Sequence, residues 1–248
     1  MRMMKKVLGT VTVLALSVYL LAGCGSTAAE STTSSVASET TSAAADENAA
    51  AAAQLLHDLT GSYQELWPVI LADEYQQTWL DVCTTLVGEE NAEAAFEKLS
   101  SMVTGDVYGE DAVKAYANGG GAYFCGFTNN LATLTFDGKT STISGADKDG
   151  NALFSHTYHF IGMEPVRGLY EFESDDTDSG EFTYFFLAPD TSAETYHIEF
   201  RYGSDADALS QYDAGDYAYW LASGISTDCD QSMIDNCIEL FCTENLAG

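Results

Sequence analysis

The feature that most constrains the fold is a change of hydrophobic pattern at Gly121. From there to Tyr202 the chain consists of short segments rich in aromatic and β-branched residues, with turn-forming residues between them. Asp137-Gly138 is a dipeptide typical of a tight hairpin turn. Strands joined by short loops favour an antiparallel meander, and about six or seven of them are enough to close a barrel. The predicted strands are 122–127, 131–136, 141–144, 153–161, 168–173, 182–187 and 196–202.

Helical periodicity flanks these strands on both sides. Apolar residues at helical spacing predict helices between residues 55 and 87 and over 91–103, followed by a short helix over 111–117. After Thr227-Asp228, the apolar residues between 233 and 241 form one stripe of a further helix. The pattern therefore predicts an α+β domain that is mainly β, an antiparallel barrel with flanking helices.

The amino terminus has the pattern of a secretory signal. Three basic residues precede an apolar run over 7–22. Leu21-Ala22-Gly23-Cys24 then resembles the bacterial lipobox, whose cysteine carries the lipid after cleavage. The alternatives are an ordinary signal peptide and a short membrane helix with an incidental cysteine. We expect residues 1–23 to be removed, Cys24 to be lipidated, and the protein to lie outside the cytoplasm, anchored to the bacterial cell membrane.

A low-complexity segment follows Cys24. Residues 24–53 are almost entirely Ser, Thr, Ala and Glu and include no aromatic residue, which is typical of a disordered tether. Its alanine-rich end, 46–53, is compatible with the start of a helix. Residues 54–248 contain no second linker, so we expect one folded domain there.

The charge excludes one class of partner. The chain has 9 Lys and Arg against 38 Asp and Glu, a formal net charge of −29. Because nucleic-acid binding depends on neutralising phosphates with basic residues, this chain is no nucleic-acid binder. Hydrophobic residues make up 46% of the sequence, which is enough apolar material for a packed core.

Motifs for common enzymes and metal modules are missing from the sequence. No G-x-S-x-G, H-E-x-x-H or Gly-rich phosphate loop is present, so we expect no catalytic activity. The acidic turns 145–150 and 175–180 do not match a calcium-binding loop. The absence of any C-x-x-C excludes the Cys-rich zinc modules. Besides Cys24 there are five cysteines, for which we expect buried thiols with or without one disulfide: Cys83, Cys125, Cys229, Cys237 and Cys242.

His197 has the most informative surroundings of the four histidines. In a strand over 196–202, alternate residues share a face, so Thr195, His197 and Glu199 point the same way. An imidazole and a carboxylate two residues apart can both reach a divalent metal at the mouth of a barrel. His156 and His159 fall on opposite faces of their strand unless it bulges. The competing interpretation is that each histidine is an ordinary polar residue.

Four short runs of the sequence are informative together: Leu-Thr-Gly-Ser-Tyr-Gln-Glu-Leu-Trp-Pro at 59–68, Gly-Leu-Tyr-Glu-Phe at 168–172, Leu-Ala-Pro at 187–189 and Tyr-His-Ile-Glu-Phe at 196–200. They resemble the ZinT family, whose members are exported zinc-recruiting domains with a lipocalin-like barrel. These domains occur alone or as the C-terminal module of zinc-transport lipoproteins. The resemblance covers most of residues 56–245 and implies a lipocalin-like (calycin) barrel, zinc as the bound ion, and a metal ABC transporter as partner.

The chain departs from this family at the metal ligands. The family binds zinc through a His-x-His pair and a third upstream histidine. Here His197 matches the second member of the pair, Thr195 replaces the first, and Phe185 or Phe186 replaces the third. Other donors must then complete a site, which would bind zinc less tightly and favour harder ions. The candidates to join His197 are Glu199 and Glu194, then His156 and His159.

An alternative function keeps the barrel and loses the metal. In this interpretation the domain is a metal-free ligand-binding or interaction module. Its cavity would be lined by aromatic residues such as Tyr158, Tyr184, Phe186 and Tyr202.

Overall fold

Eight antiparallel strands close into a barrel in the computed structural model of the chain. It describes residues 34–104, 123–188 and 197–246, with side chains from residue 46 onward. Each strand pairs with its neighbours in chain order, and the first pairs with the last. The predicted mainly β fold with an antiparallel barrel is confirmed. The strands are β1 (Gly61–Glu65), β2 (Thr133–Asp137), β3 (Thr142–Ala146), β4 (Ala152–Met163), β5 (Tyr170–Ser174), β6 (Tyr184–Leu187), β7 (His197–Gly203) and β8 (Ala222–Ser226).

The two strands that close the barrel are the ones that the pattern does not predict. β1 carries a single fully buried side chain, Tyr63, among partly exposed ones, and β8 consists mainly of small residues. Neither has the aromatic and β-branched alternation that marks a strand. The segment predicted as a strand over 122–127 instead makes one isolated bridge, between Phe124 and Trp220. Strands β2 to β7 overlap the other six predictions.

Helices lie before β1, between β1 and β2, between β7 and β8, and after β8. None of the helices in the described part of the chain is long and apolar enough to cross a membrane. The short helix predicted over 111–117 lies outside the described residues. The helices are α1 (Ser34–Asp58), α2 (Leu66–Ile70), α3 (Gln76–Val87), α4 (Ala92–Thr104), α5 (Ala206–Leu209) and α6 (Gln231–Leu246), with single 3-10 turns at Asp73–Tyr75, Glu89–Asn91 and Gly180–Phe182.

Helix α1 overlaps the stretch that we expect to act as a tether. It begins at Ser34, whereas the sequence indicates helix only from about residue 46. Alanine, the residue with the highest helix propensity, is frequent from Ala43 onward and favours this conformation. The division at residue 53 stays a prediction. The signal segment 1–23 and Cys24 lie outside the described residues.

Aromatic rings fill the barrel interior. The rings of Phe185 and Phe200 stack against that of Tyr202 at centroid distances of 5.4 and 5.8 Å. The end of α1 belongs to the same core, where Leu56 and Leu59 are buried. The turn between β2 and β3 also meets this helix end, since Gly138 N donates to Thr60 Oγ1 at 3.1 Å. The carboxyl-terminal end of α1 therefore covers one end of the barrel.

A second apolar core lies between the outer face of the barrel and the helices that pack on it. Ile225 of β8 is buried here with side chains of α2, α3, α4 and α6. The ring of Phe241 packs against Trp67 and Trp79 at 4.6 and 6.2 Å. Trp79 Nε1 donates to Ile70 O at 2.7 Å, which joins α3 to α2. The outward side chain of Ile225 on β8 consequently meets helices rather than water.

The five described cysteines are free thiols. Cys229 is half-buried and the other four are buried. The disulfide that the sequence left open is therefore not found within the described ranges. Burial raises the pKa of the Cys83 and Cys242 thiols, which lie against each other.

Candidate functional site

Strand β7 places His197 and Glu199 on the outer face of the barrel. Ile198 and Phe200 alternate with them and belong to the interior core. His197 pairs with Ile225, and Glu199 pairs with Ser223, so these four side chains lie on one side of the sheet. The sequence predicts the shared face but places it at the barrel mouth. The structure corrects this position, because the larger apolar set of β7 fills the interior.

A small pocket between the barrel and two helices contains both candidate ligands. Its volume is about 40 Å³. A water molecule needs roughly 10–15 Å³ on this measure, so the pocket has room for an ion with a water molecule but not for an organic ligand. The lining residues are Leu66, Trp67 and Ile70 from α2, His197 and Glu199 from β7, and Cys237, Leu240, Phe241 and Glu244 from α6.

Helix α6 brings two further donors to this pocket, Cys237 and Glu244. They are seven residues apart, which is two helical turns, and therefore share one face of the helix. Burial raises the pKa of the Cys237 thiol to about 12, so at neutral pH this sulfur is a thiol rather than a thiolate. The carboxylates are the stronger ligands in this state, because metals bind the thiolate.

Cys125 is buried, and its thiol is affected by the charge of Glu199. Burial, and then the negative charge of Glu199, raise the pKa of its thiol to about 12. Ser223 N donates to Cys125 O at 2.9 Å, which fixes the segment before β2 against β8. At neutral pH the Cys125 sulfur near Glu199 is therefore an uncharged thiol.

The described residues do not form a complete metal site. Across residues 34–104, 123–188 and 197–246, no group of three or more His, Cys, Asp or Glu is arranged to hold a metal ion. Phe185 and Phe186, at the position of the family's third histidine, are fully buried and offer no donor. Glu194 and Thr195 lie outside the described residues. His197 and Glu199 thus share one strand face and one pocket, and within the described part of the chain they do not belong to a group of three potential metal ligands.

The other two candidate histidines lie elsewhere on the barrel. His156 Nδ1 is 2.7 Å from Asp176 Oδ2, and His159 Nδ1 is 2.8 Å from Asp175 Oδ1. His156 stacks beside the inward ring of Phe154, whereas His159 is exposed on the other face. Strands β5 and β6 separate them from β7, a distance of roughly 14 Å across the sheet. These histidines therefore cannot complete a site with His197.

The aromatic residues of the alternative interpretation do not share one cavity. Tyr158 and Tyr202 are buried in the interior, where Tyr158 packs edge-on against Phe185 at 5.4 Å. Phe186 pairs with Arg201 and faces the opposite side of the sheet from Phe185. Tyr184 reaches the surface, where its hydroxyl donates to Glu173 Oε1 at 3.1 Å. The interior is thus a packed core.

Sequence reasoning missed the contribution of α6. The spacing of Cys237 and Glu244 on one helix face is visible in the sequence. What the sequence does not show is that α6 packs beside β7, which depends on closure of the barrel by β1 and β8.

Comparisons with known proteins give a structural likeness. No family model matches the chain, and no curated protein matches it. Among solved structures, the Zn(II)-bound ZinT-like domain of Streptococcus pneumoniae AdcA is 14% identical with a TM-score of 0.47; the match covers 74% of this chain and 89% of that one. Zn(II)-bound AdcA of Streptococcus pneumoniae is 13% identical with a TM-score of 0.44; the match covers 75% of this chain and 35% of that one. The family that the sequence resembles is also the family of the first of these structures.

Proposed function

We propose that the chain is a membrane-tethered, extracytoplasmic domain that binds a divalent cation, zinc before others, at His197 and Glu199. The observation that carries this proposal is that both side chains line one small pocket together with Glu244. One imidazole with one or two carboxylates is a ligand set that zinc accepts in proteins. The pocket volume of about 40 Å³ suits an ion rather than an organic molecule.

The binding is expected to be weaker than that of a three-histidine site. Two donors come from one strand, whereas a third, such as Glu244, would come from a separate element, α6. Ordering that side chain on binding costs free energy, which lowers the affinity. Weak binding suits a domain that collects a metal and passes it on, and a metal ABC transporter is the partner we propose.

The proposed location of the protein in the cell is based on the sequence of its amino terminus. The basic residues, apolar run and lipobox-like Leu21-Ala22-Gly23-Cys24 support an exported chain with a lipid on Cys24. The low-complexity stretch that follows would hold the barrel away from the membrane. We propose a binding role rather than a catalytic one, because the sequence has no G-x-S-x-G, H-E-x-x-H or Gly-rich phosphate-loop motif.

Zinc titration of the purified, chelator-treated protein by calorimetry tests the metal site. We expect saturable binding with a dissociation constant below roughly 100 μM. His197→Ala removes the nitrogen ligand and should weaken binding at least tenfold, about 1.4 kcal/mol.

The matched control is His159→Ala, an exposed histidine on another part of the barrel. It should leave zinc affinity unchanged. Equal weakening in both variants would move the site away from β7, and an absence of saturable binding in the unmodified protein would reject the metal function altogether.

A further inference from the structure

A groove at the end of the barrel opposite α1 is built from four chain segments. These are the segment leading into β2, the turn before β6, the residues after β7 and the segment before β8. The groove is open to solvent and has a volume of about 580 Å³. That is within the range of roughly 300–1,000 Å³ found for small-molecule sites, which often occur in the mouths of barrels.

Two chemical groups dominate the groove. Aromatic rings come from Phe124, Tyr217 and Trp220, and carboxylates from Glu181, Asp205 and Asp216. None of the described residues that line the groove is basic. Three negative charges that face an open volume without a counter-charge repel anions and attract cations.

Hydrogen bonds hold the principal groups in position before any ligand arrives. Glu181 accepts from Ser204 Oγ at 2.9 Å and from Tyr217 Oη at 3.0 Å. Trp220 is buried, and its Nε1 donates to Gly126 O at 2.8 Å. This hydrogen bond holds the indole ring in place as one wall of the groove. Preorganised acceptors and rings lose little entropy when a ligand binds.

The backbone beside these groups is in a conformation that bulky residues rarely adopt. Tyr219, which also lines the groove, has a φ of 54°. Its N–H donates to Tyr212 O at 2.7 Å, and its carbonyl accepts from Phe124 N at 2.9 Å. Such backbone conformations cluster at ligand sites, where the surrounding structure enforces them.

We propose that this groove binds an aliphatic amine carrying two or more positive charges, a ligand of the polyamine class. Ammonium groups would pair with the carboxylates, and the methylene segments between them would lie on the aromatic faces. A simple metal ion would leave the rings without a partner, and a neutral sugar would leave three charges uncompensated. The groove lies roughly 20 Å along β7 from His197, so the two sites are separate.

Titration with spermidine, followed by tryptophan fluorescence in about 150 mM NaCl, tests this site. Trp220 reports on the groove, while Trp67 and Trp79 lie in the helix layer. We expect saturable binding that Glu181→Gln and Asp216→Asn each weaken by about fivefold. Thermal unfolding of each variant verifies that it is folded.

Two controls distinguish a site from diffuse attraction by the net charge. Glu93→Gln removes an exposed carboxylate on α4, and His197→Ala disrupts the proposed metal pocket; both should leave spermidine affinity unchanged. The proposal is overturned if Glu93→Gln weakens binding as much as Asp216→Asn does. It is equally overturned if spermidine shows no saturation up to roughly 1 mM, or if the neutral disaccharide trehalose binds in its place.

Discussion

At the residue scale, Tyr202 shows how a buried ionisable side chain makes the stability of the fold depend on pH. Its ring is fully buried, and its hydroxyl accepts from Thr128 N at 2.7 Å and donates to Thr128 O at 2.9 Å. Burial raises the pKa of Tyr202 to about 12, against the hydrogen bonds to Thr128, which lower it. Burial, aided by the charge of Glu164, also raises the pKa of Tyr212 to about 12.

These raised pKa values predict a loss of stability in alkali. Above pH 10.0, the ordinary value, an unfolded tyrosine releases its proton while the folded one keeps it. Each such tyrosine therefore makes its full contribution to the free energy of unfolding below that pH. The free energy of unfolding then falls as pH rises toward 12, by roughly 1 kcal/mol per pH unit for each such tyrosine. Tyr202→Phe should lower the free energy of unfolding at pH 8 but reduce its decline between pH 10 and 11.5. Urea unfolding at several pH values measures both effects, and parallel declines in the variant and the parent would contradict the assignment.

Arg201 shows where sequence reasoning stops at the residue scale. It alternates with Phe200 and Tyr202, which belong to the interior core, so its side chain lies on the outer face of β7. The structure buries it completely, with its guanidinium donating to the carbonyls of Leu209 and Tyr217 and lying 4.3 Å from the ring centre of Tyr212. Alternation assigns a face but cannot show that a later segment covers that face.

At the scale of elements, the contact between α1 and the β2–β3 turn depends on a glycine. A Cβ atom on Gly138 would lie directly against His57 Cα and Leu56 O of the helix end. Both are backbone atoms, which move only with the helix. The end of α1 and the β2–β3 turn are therefore packed so closely that residue 138 has no room for a side chain.

Gly138→Ala should accordingly destabilise the protein by about 1–3 kcal/mol, as overpacking does elsewhere. Gly162→Ala in β4 is the matched control, because its added Cβ would meet only Glu171 Oε2, at 3.4 Å. Urea unfolding of both variants measures the difference. Equal stability of the two variants would show that the end of α1 moves away at no cost.

Prediction at this scale succeeds where burial is periodic. Strands β2 to β7 and the helices around them follow from apolar spacing, and His197 with Glu199 falls on one face as expected. The failure concerns β1 and β8, whose small and polar residues owe their strand conformation to tertiary pairing. The pocket at His197 depends on that same pairing and on α6, so its composition could not be predicted from local pattern.

At the scale of the whole molecule, the net charge of −29 opposes compactness. Raising NaCl from about 0.01 to about 0.1 M shortens the screening length from about 30 to about 10 Å. We expect the thermal midpoint to rise over this range, as repulsion between carboxylates weakens. Thermal unfolding with a chelator present measures this, with tetramethylammonium chloride as control because it screens equally without coordinating. A midpoint independent of salt, or a rise with sodium alone, would contradict screening as the cause.

Closure of the barrel also constrains how the protein folds. Thr227 Oγ1 donates to Ser62 O across a separation of 165 residues, beside the ladder that joins β1 to β8. Because synthesis proceeds from the amino terminus, β1 has no partner on that side until the ribosome has made β8. Contacts of such high sequence separation form slowly. A chain truncated before β8 would therefore present two unpaired edges, and aggregation at those edges competes with folding until the last strand arrives.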